Sequence, residues 1–174
     1  IYILLLWNYL EYKNQQIFIH NKKLPLYLPI LFIFCILVQI CVGGFVSGLD
    51  AGKLYQTWPL MNQSYFPDDS KIEDLFSIEA FESPSIVQFI HRNIAYFIIL
   101  LFIYIAISIY RNKNLIYLRS ITLIVFIFIL LQTLLGILTV LSGAQIILAS
   151  MHQIGSILLI TTSLILAFKN SKIN

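Results

Sequence analysis

The chain has 174 residues, of which 59% are hydrophobic and 11% are charged, and its formal net charge is +3 at pH 7. That balance excludes an ordinary soluble domain, in which about a quarter of the residues are charged. Because lipid offers no water to polar groups, long uncharged runs between short charged clusters predict a helical integral membrane protein, with a lipid bilayer around it and no nucleic-acid partner.

The first apolar run, residues 1–10, is too short to cross a bilayer, since a span needs about 20 residues. We interpret it as the tail of a transmembrane helix whose beginning is absent from this sequence. A basic cytoplasmic loop over residues 11–25 is expected to follow. His20 lies in this loop beside Lys22 and Lys23, and it is expected to be a solvated surface residue.

Four longer apolar stretches follow, and each can cross the roughly 30 Å hydrocarbon core as a helix. They run over residues 26–49, 85–110, 115–141 and 145–168. The predicted fold is an all-α integral membrane protein, a bundle of four complete transmembrane helices preceded by the tail of another.

These helices form one predicted transmembrane domain over residues 26–168, with a short cytoplasmic tail over residues 169–174. Inside the domain, residues 50–84 make a long loop that is rich in aromatic side chains. Loops of this length are usually functional or disordered, and the aromatic content favours a lid on the membrane face. A short helix is expected in it around residues 71–76.

Charged residues predict the orientation. If the four helices alternate in direction, eight basic residues lie on one membrane face: Lys13, Lys22, Lys23, Arg111, Lys113, Arg119, Lys169 and Lys172. Seven of the eight acids lie in the long loop on the other face. The positive-inside rule then places both chain ends in the cytoplasm and the long loop outside. We expect a multi-pass protein of the bacterial plasma membrane, or of the mitochondrial inner membrane if the source is eukaryotic.

A short repeat relates the two halves of the domain. The run QICVG, residues 39–43, resembles QTLLG, residues 132–136, and each lies near the end of a predicted helix. Each leads through a loop to a helix with a histidine about two turns inside its start. The two hairpins therefore read as copies around a pseudo-two-fold axis.

Those histidines, His91 and His152, are the candidate site. Both are predicted at one depth, where two neutral imidazoles can supply both axial ligands of a haem iron. Arg92 is placed to meet a haem propionate, with snorkelling to the interface as its alternative. The other polar side chains predicted inside the membrane, Gln39, Gln88 and Gln132, either support a histidine or a propionate or only hydrogen-bond between helices.

A plainer interpretation stays open. Small residues such as Gly44 and Gly48, which could leave room for a macrocycle, are also how membrane helices pack in general. The histidines themselves could be packing residues. Cys35 and Cys41 point to different sides of one predicted helix, so we expect neither a disulfide between them nor a metal-binding role.

Several motifs resemble those of haem A synthase, in the form found in mitochondria and proteobacteria. They are QICVGGFVSGLDAGKLYQT over residues 39–57, WPLM over 58–61, VQFIHRNIAY around His91, QTLLGILTVLSG over 132–143 and LASMHQIGS around His152. The resemblance covers nearly the whole chain, with the motifs in the family's order.

This resemblance implies an eight-helix oxidoreductase of two similar halves, which converts haem O to haem A for cytochrome oxidase by oxidising a ring methyl to a formyl group. The carboxy-terminal half of the family holds a haem b on two histidines, here His91 and His152. The other half has a glutamate three residues before its histidine, where this chain has Gln88. The resemblance therefore implies that this chain is the cofactor half and that the catalytic residues, unknown here, lie elsewhere.

Expected partners are the substrate haem O, an unidentified electron acceptor and the haem O synthase that would supply the substrate. The alternative function is a cytochrome b-type electron carrier or anchor subunit, which shares the haem but oxidises no substrate. A third interpretation is a haem-free assembly scaffold. The family's other bacterial branch has a cysteine pair in an outer loop, and the long loop contains no cysteine.

Overall fold

The structure is a computed structural model that describes residues 1–13 and 23–171. Its helices are α1 (Tyr2–Lys13), α2 (Tyr27–Gly48), α3 (Pro84–Arg111), α4 (Arg119–Leu141) and α5 (Ile146–Ser171). The last four are long and apolar enough to cross a membrane, and the α4 span includes the preceding 3₁₀ helix, Lys113–Leu118. The all-α fold with four spans is confirmed, and the spans match the predicted ones to within about one turn.

Local sequence explains where α3 begins. Pro84 is its first residue, a position where the missing amide hydrogen costs nothing and the fixed φ suits a helix. The Ser83 hydroxyl accepts a hydrogen bond from the amide of Ile86 and caps the first turn. The position where α3 begins determines the depth in the membrane of each polar side chain that α3 carries.

The turn between α4 and α5 depends on a left-handed residue. Gly143 has a φ of +67°, and its amide donates to the carbonyl of Val140 while the amide of Ala144 donates to that of Thr139. This is the Schellman pattern, in which glycine ends a helix without a side-chain penalty. The tight turn makes α4 and α5 an antiparallel hairpin.

The apolar core fills the half of the bundle away from the long loop. Phe32 of α2 and Phe102 of α3 meet there with ring centroids 5.6 Å apart, and Leu118, Val125 and Leu164 belong to the same buried cluster. α5 is the most enclosed span, with 44% of its most apolar stretch buried against 22% in each of the others. The remaining apolar side chains form an outer surface suited to lipid.

The chain segments opposite the long loop are joined by hydrogen bonds. Asn170 near the end of α5 is fully buried, where its side chain bonds both the amide and the carbonyl of Leu24. α1 lies along the same end of α5, and the Trp7 and Phe168 rings meet edge to face. This arrangement groups the described basic segments at one end of the bundle. The compartment that each end faces stays a prediction.

The long loop folds over the other end of the bundle. It contains 3₁₀ helices over Ala51–Lys53, Ile72–Phe76 and Ile78–Phe81, so the expected short helix around residues 71–76 is confirmed. The Tyr55 hydroxyl donates to Asp68 at 2.7 Å, and the Ser85 hydroxyl donates to Asp69 at 2.6 Å. Burial and these carboxylates raise the pKa of Tyr55 well above its usual value, so its phenol stays protonated.

Three predictions cannot be compared with this structure. His20 and the middle of the basic loop lie outside the described residues, as do the last three residues of the tail. The interpretation of residues 1–10 as part of a longer helix stays a prediction. The structure shows there only the twelve-residue helix α1, which packs against α5.

Candidate functional site

The two intramembrane histidines face each other in the half of the bundle nearer the long loop. His91 lies two turns into α3 and His152 lies two turns into α5. Their ring centroids are 6.5 Å apart and the ring planes are nearly perpendicular, at 78°. The structure therefore brings the pair together at one depth between two helices.

A glycine from the preceding helix backs each imidazole. A Cβ placed on Gly43 of α2 would lie 3.2 Å from Cε1 of His91. A Cβ placed on Gly136 of α4 would lie 3.1 Å from Cε1 of His152. The α2–α3 and α4–α5 hairpins thus build their histidines in the same way, as the sequence repeat predicts. A side chain at either position would press on the ring, which would have to shift by a few tenths of an ångström to admit it.

Gln39, one turn before Gly43, hydrogen-bonds His91. Its amide nitrogen lies 3.2 Å from Nε2 of the ring and donates to the His91 backbone carbonyl at 3.1 Å. These two contacts hold both the imidazole and the backbone of α3 against α2. A polar partner that orients an imidazole is what a ligating histidine needs.

Gln132 holds the corresponding position in the second hairpin. Its backbone contacts the imidazole of His152. Its side-chain amide points at Gly155 of α5, where any Cβ would collide with the amide nitrogen. Gly155 thus makes room for Gln132 beside the histidine. Sequence analysis missed this glycine, because its position three residues after His152 does not show which side chain of another helix it faces.

Both imidazoles keep an unused polar atom. The Nδ1 atoms of His91 and His152 are buried and have no hydrogen-bond partner. The side-chain oxygen of Gln39 is also buried and unpaired. Buried polar groups are nearly always paired, because each unpaired one costs about 1–3 kcal/mol. Such a cluster of unpaired atoms marks a place where a bound group would supply the missing partners.

Arg92 and Gln88 hold the long loop to α3. The Arg92 guanidinium donates to the carbonyls of Tyr55 at 3.0 Å and Leu60 at 3.2 Å, and the Gln88 amide donates to the same Tyr55 carbonyl at 3.1 Å. Propionate binding and snorkelling to the interface both stay predictions for Arg92, whose side chain is only 8% exposed beneath the long loop. Its Nε atom is buried and unpaired, as is the side-chain oxygen of Gln88.

The structure assigns different roles to the small residues of α2. Gly43 contacts His91, whereas a Cβ on Gly44 or Gly48 would meet no atom within 4 Å. The packing interpretation of Gly44 and Gly48 is therefore wrong within the described chain. Gly52 of the long loop lies against Ala144 of the α4–α5 turn, since a Cβ there would come within 3.2 Å of it. This contact joins the two loops above the histidines.

Comparison with known proteins finds one matching family and several similar curated proteins. The cytochrome oxidase assembly protein family (COX15-CtaA) matches residues 1–164. A heme A synthase of Pelagibacter ubique is 40% identical over 168 residues, which are 97% of this chain and 48% of that protein. A heme A synthase of Rickettsia bellii is 38% identical over 141 residues, or 81% of this chain and 41% of that protein.

A third relative, the heme A synthase of Brucella ovis, is 40% identical over 123 residues, which cover 70% of this chain and 34% of that protein. The chain thus spans about half or less of the length of these curated relatives. No solved structure matches the chain. The extent of the family match and the identity to these relatives show that the chain belongs to the cytochrome oxidase assembly protein family, alongside heme A synthases.

Proposed function

We propose that this chain is the carboxy-terminal, cofactor-holding half of a haem A synthase, with haem b bound between His91 and His152. The whole protein would oxidise the ring methyl of haem O to a formyl group and so make haem A for cytochrome oxidase. The observation that carries this proposal is the histidine pair itself, with ring centroids 6.5 Å apart. The relatives are named heme A synthases, which supports haem A as the product, and the oxidation of haem O is what the family resemblance implies.

The spacing of the rings suits an iron ligand pair. The ring centroids lie 6.5 Å apart, so both imidazoles could hold one metal ion between them. The unpaired Nδ1 atom on each ring supports the same conclusion. His91 and His152 would therefore be the axial ligands of the haem iron.

The donor set also separates haem from other metal centres. Structural and catalytic zinc sites use at least three protein ligands, usually from His, Cys, Asp and Glu. In the described parts of the chain, no three such residues come together. A haem needs only two protein ligands, because the macrocycle supplies the other four, so a lone pair of histidines suits it.

Arg92 is the proposed partner of a haem propionate. Its guanidinium is buried, and its partners in the described structure are two neutral carbonyls, with no carboxylate within ion-pair distance. A buried charge without an opposite charge is costly. A propionate beside Arg92 would supply that charge and a partner for the unpaired Nε atom. Gln88, one turn earlier on α3, would complete the polar group near the propionates, and Gln39 and Gln132 would orient the ligands.

The bound haem would supply one-electron transfer, with its potential set by axial ligands and burial. The residues of this chain would bind it, orient the imidazoles and keep water out beneath the long loop. Gln88 cannot act as a carboxylate base, so the catalytic residues are proposed to lie in the other half. The electron acceptor and any contact with haem O synthase are proposed as partners of the whole protein. We place that protein in the plasma or mitochondrial inner membrane, with both ends of this chain in the cytoplasm or matrix.

Optical spectroscopy tests the iron clamp. The chain is expressed with haem supply and purified in detergent, beside His91→Ala, His152→Ala and the control His20→Ala. We expect a six-coordinate low-spin b-type spectrum in the parent and in the control, and its loss or conversion in the other two. A colourless parent, or a spectrum indifferent to both substitutions, would contradict the proposal.

The division into halves has its own test. The purified chain, loaded with haem b and supplied with haem O, oxygen and an artificial electron acceptor, is expected to form no haem A. Full-length relatives treated in the same way provide the positive control. Formation of haem A by this chain alone would show that the catalytic residues are in it, and would overturn the proposed division.

A further inference from the structure

Two apolar side chains of the long loop, at the end of the 3₁₀ helix Ile72–Phe76 and at the start of the 3₁₀ helix Ile78–Phe81, are covered by no part of the described chain. Ile78 is 93% exposed, and Phe76 just before it is 87% exposed. Side chains this apolar are seldom left so exposed in a group unless the surface meets something. These side chains lie beside the end of the bundle that the long loop covers, and this position indicates what they contact.

One ring of the segment shows which way it faces. Phe81 packs against Phe45 of α2 with ring centroids 5.3 Å apart. Phe45 lies one turn before the end of a membrane span and is itself 47% exposed on the surface of the bundle. The segment over residues 76–81 therefore lies next to the end of the lipid-facing surface of α2, at the depth of the membrane interface.

The periodicity of the 3₁₀ helix separates its apolar and acidic side chains. Residues three apart lie directly above one another in such a helix. Ile78 is therefore on the same side as Phe81, toward the lipid-facing surface of α2. Glu79 and Glu82 share a different side, and both are exposed. An apolar side toward lipid and an acidic side toward water is the pattern of an interfacial segment.

Other exposed aromatic residues of the long loop also indicate that the loop lies at the membrane interface. Trp58 and Tyr65 are 44% and 49% exposed, and these are the residue types enriched where a protein crosses the membrane–water interface. Tyr65 is tied to the start of α3 by a hydrogen bond to Asn93 and an edge-to-face contact with Phe89. The loop thus meets the interface with several of its side chains.

We propose that residues 76–81 anchor the long loop in the lipid leaflet next to it, with Ile78 and Phe76 inserted among the lipids and Glu79 in water. The anchor prefers zwitterionic lipid, because its acidic side is repelled by an anionic surface. It holds the lid over the mouth of the bundle without any contact with a second protein. This inference does not depend on the haem, since it rests on the loop and on α2.

Spin-label accessibility tests the anchor. Nitroxides are placed at Ile78→Cys and, as the matched control, at Glu79→Cys, with Cys35 and Cys41 replaced by alanine. Each protein is reconstituted in phosphatidylcholine nanodiscs, and collisions with oxygen and with a water-soluble nickel chelate are measured. We expect collisions with nickel to be about threefold fewer at position 78 than at 79, with oxygen collisions higher at 78.

Two results would overturn the proposal. Equal nickel accessibility at positions 78 and 79 would place both in water. Shielding of position 78 from both reagents would show that protein covers it. If the cysteine variants do not fold, the unchanged chain is irradiated in nanodiscs containing photoreactive phosphatidylcholine. Cross-links within residues 76–81 are then expected, and labelling of α2 without this segment would reject the anchor.

Discussion

Gly43 and His91 are in contact across the α2–α3 interface, and the missing side chain of the glycine is what allows it. A Cβ at position 43 would lie 3.2 Å from Cε1 of the imidazole, closer than about nine in ten real Cβ contacts. Gly136 stands in the same relation to His152, at 3.1 Å. The histidine pair therefore depends on two residues that carry no functional group.

Gly43→Ala and Gly136→Ala are expected to displace the imidazoles and to lower haem b affinity by about tenfold each, which corresponds to about 1.4 kcal/mol of overpacking. The measurement is haem titration of the purified protein. Gly44→Ala is the matched control, because a Cβ there meets no atom within 4 Å. Equal affinity in all three variants would mean that the rings move away at no cost.

Gln39→Leu removes the amide that contacts both the ring and the carbonyl of His91. We expect haem affinity to fall by about tenfold and the midpoint potential of the bound haem to shift, since partners of ligating histidines control their orientation and basicity. Redox titration measures the potential. Ile40→Leu, a change at the exposed neighbouring position, is the control. A variant with weaker haem binding but an unchanged potential would assign Gln39 to helix packing alone.

Arg92→Met and Gln88→Leu together distinguish two roles of Arg92, which are holding the long loop through the Tyr55 carbonyl and binding a haem propionate. Both variants lose a hydrogen bond to the Tyr55 carbonyl, but the first also loses the hydrogen bond to the Leu60 carbonyl and a charge. We expect each to loosen the long loop by about 1–3 kcal/mol, seen as faster proteolysis within residues 50–84. Haem affinity should fall further in Arg92→Met, because a propionate loses its partner. Equal haem affinities in the two variants would leave Arg92 with the loop role only.

The histidine pair was open to prediction because its determinants are local. The four spans follow from apolar length, and the depth of His91 and His152 follows from their distance from a helix start. The repeat of QICVG and QTLLG then predicts two equivalent hairpins, which the contacts of Gly43 and Gly136 confirm. Each of these steps uses periodicity and helical rise, which are properties of short sequence windows.

The partners of Arg92 could not be predicted in the same way. Its acceptor is a backbone carbonyl 37 residues earlier in the chain, in a loop whose path depends on tertiary contacts. Every residue has such a carbonyl, so the sequence does not indicate that the carbonyl of Tyr55 is the one that Arg92 contacts. The nearness of Gly155 to the Gln132 side chain was also unpredictable, because it depends on the rotation of α5 about its own axis.

The carboxyl group of Asp69 makes the stability of the long loop depend on pH. Burial acts to raise the pKa of this group, but hydrogen bonds from Ser85 and Ser70 outweigh it, and the pKa lies below its usual value of 3.8. A group whose folded pKa is lowered stabilises the fold above its unfolded pKa. That contribution is lost as the pH falls through the folded pKa, because the carboxylate is then protonated.

We therefore expect acid to open the long loop in a window that begins near pH 3.8 and extends below it. Pepsin, which is active there, should cut the parent within residues 50–84 increasingly as the pH falls through this window. Ser85→Ala removes the 2.6 Å hydrogen bond and should move the onset of cleavage to higher pH. Ser64→Ala, in the same loop but bonded to the Phe66 carbonyl, is the control. Cleavage with the same pH profile in Ser85→Ala and the parent would show that Asp69 does not hold the loop, because the serine hydrogen bond is then worth nothing to the folded state.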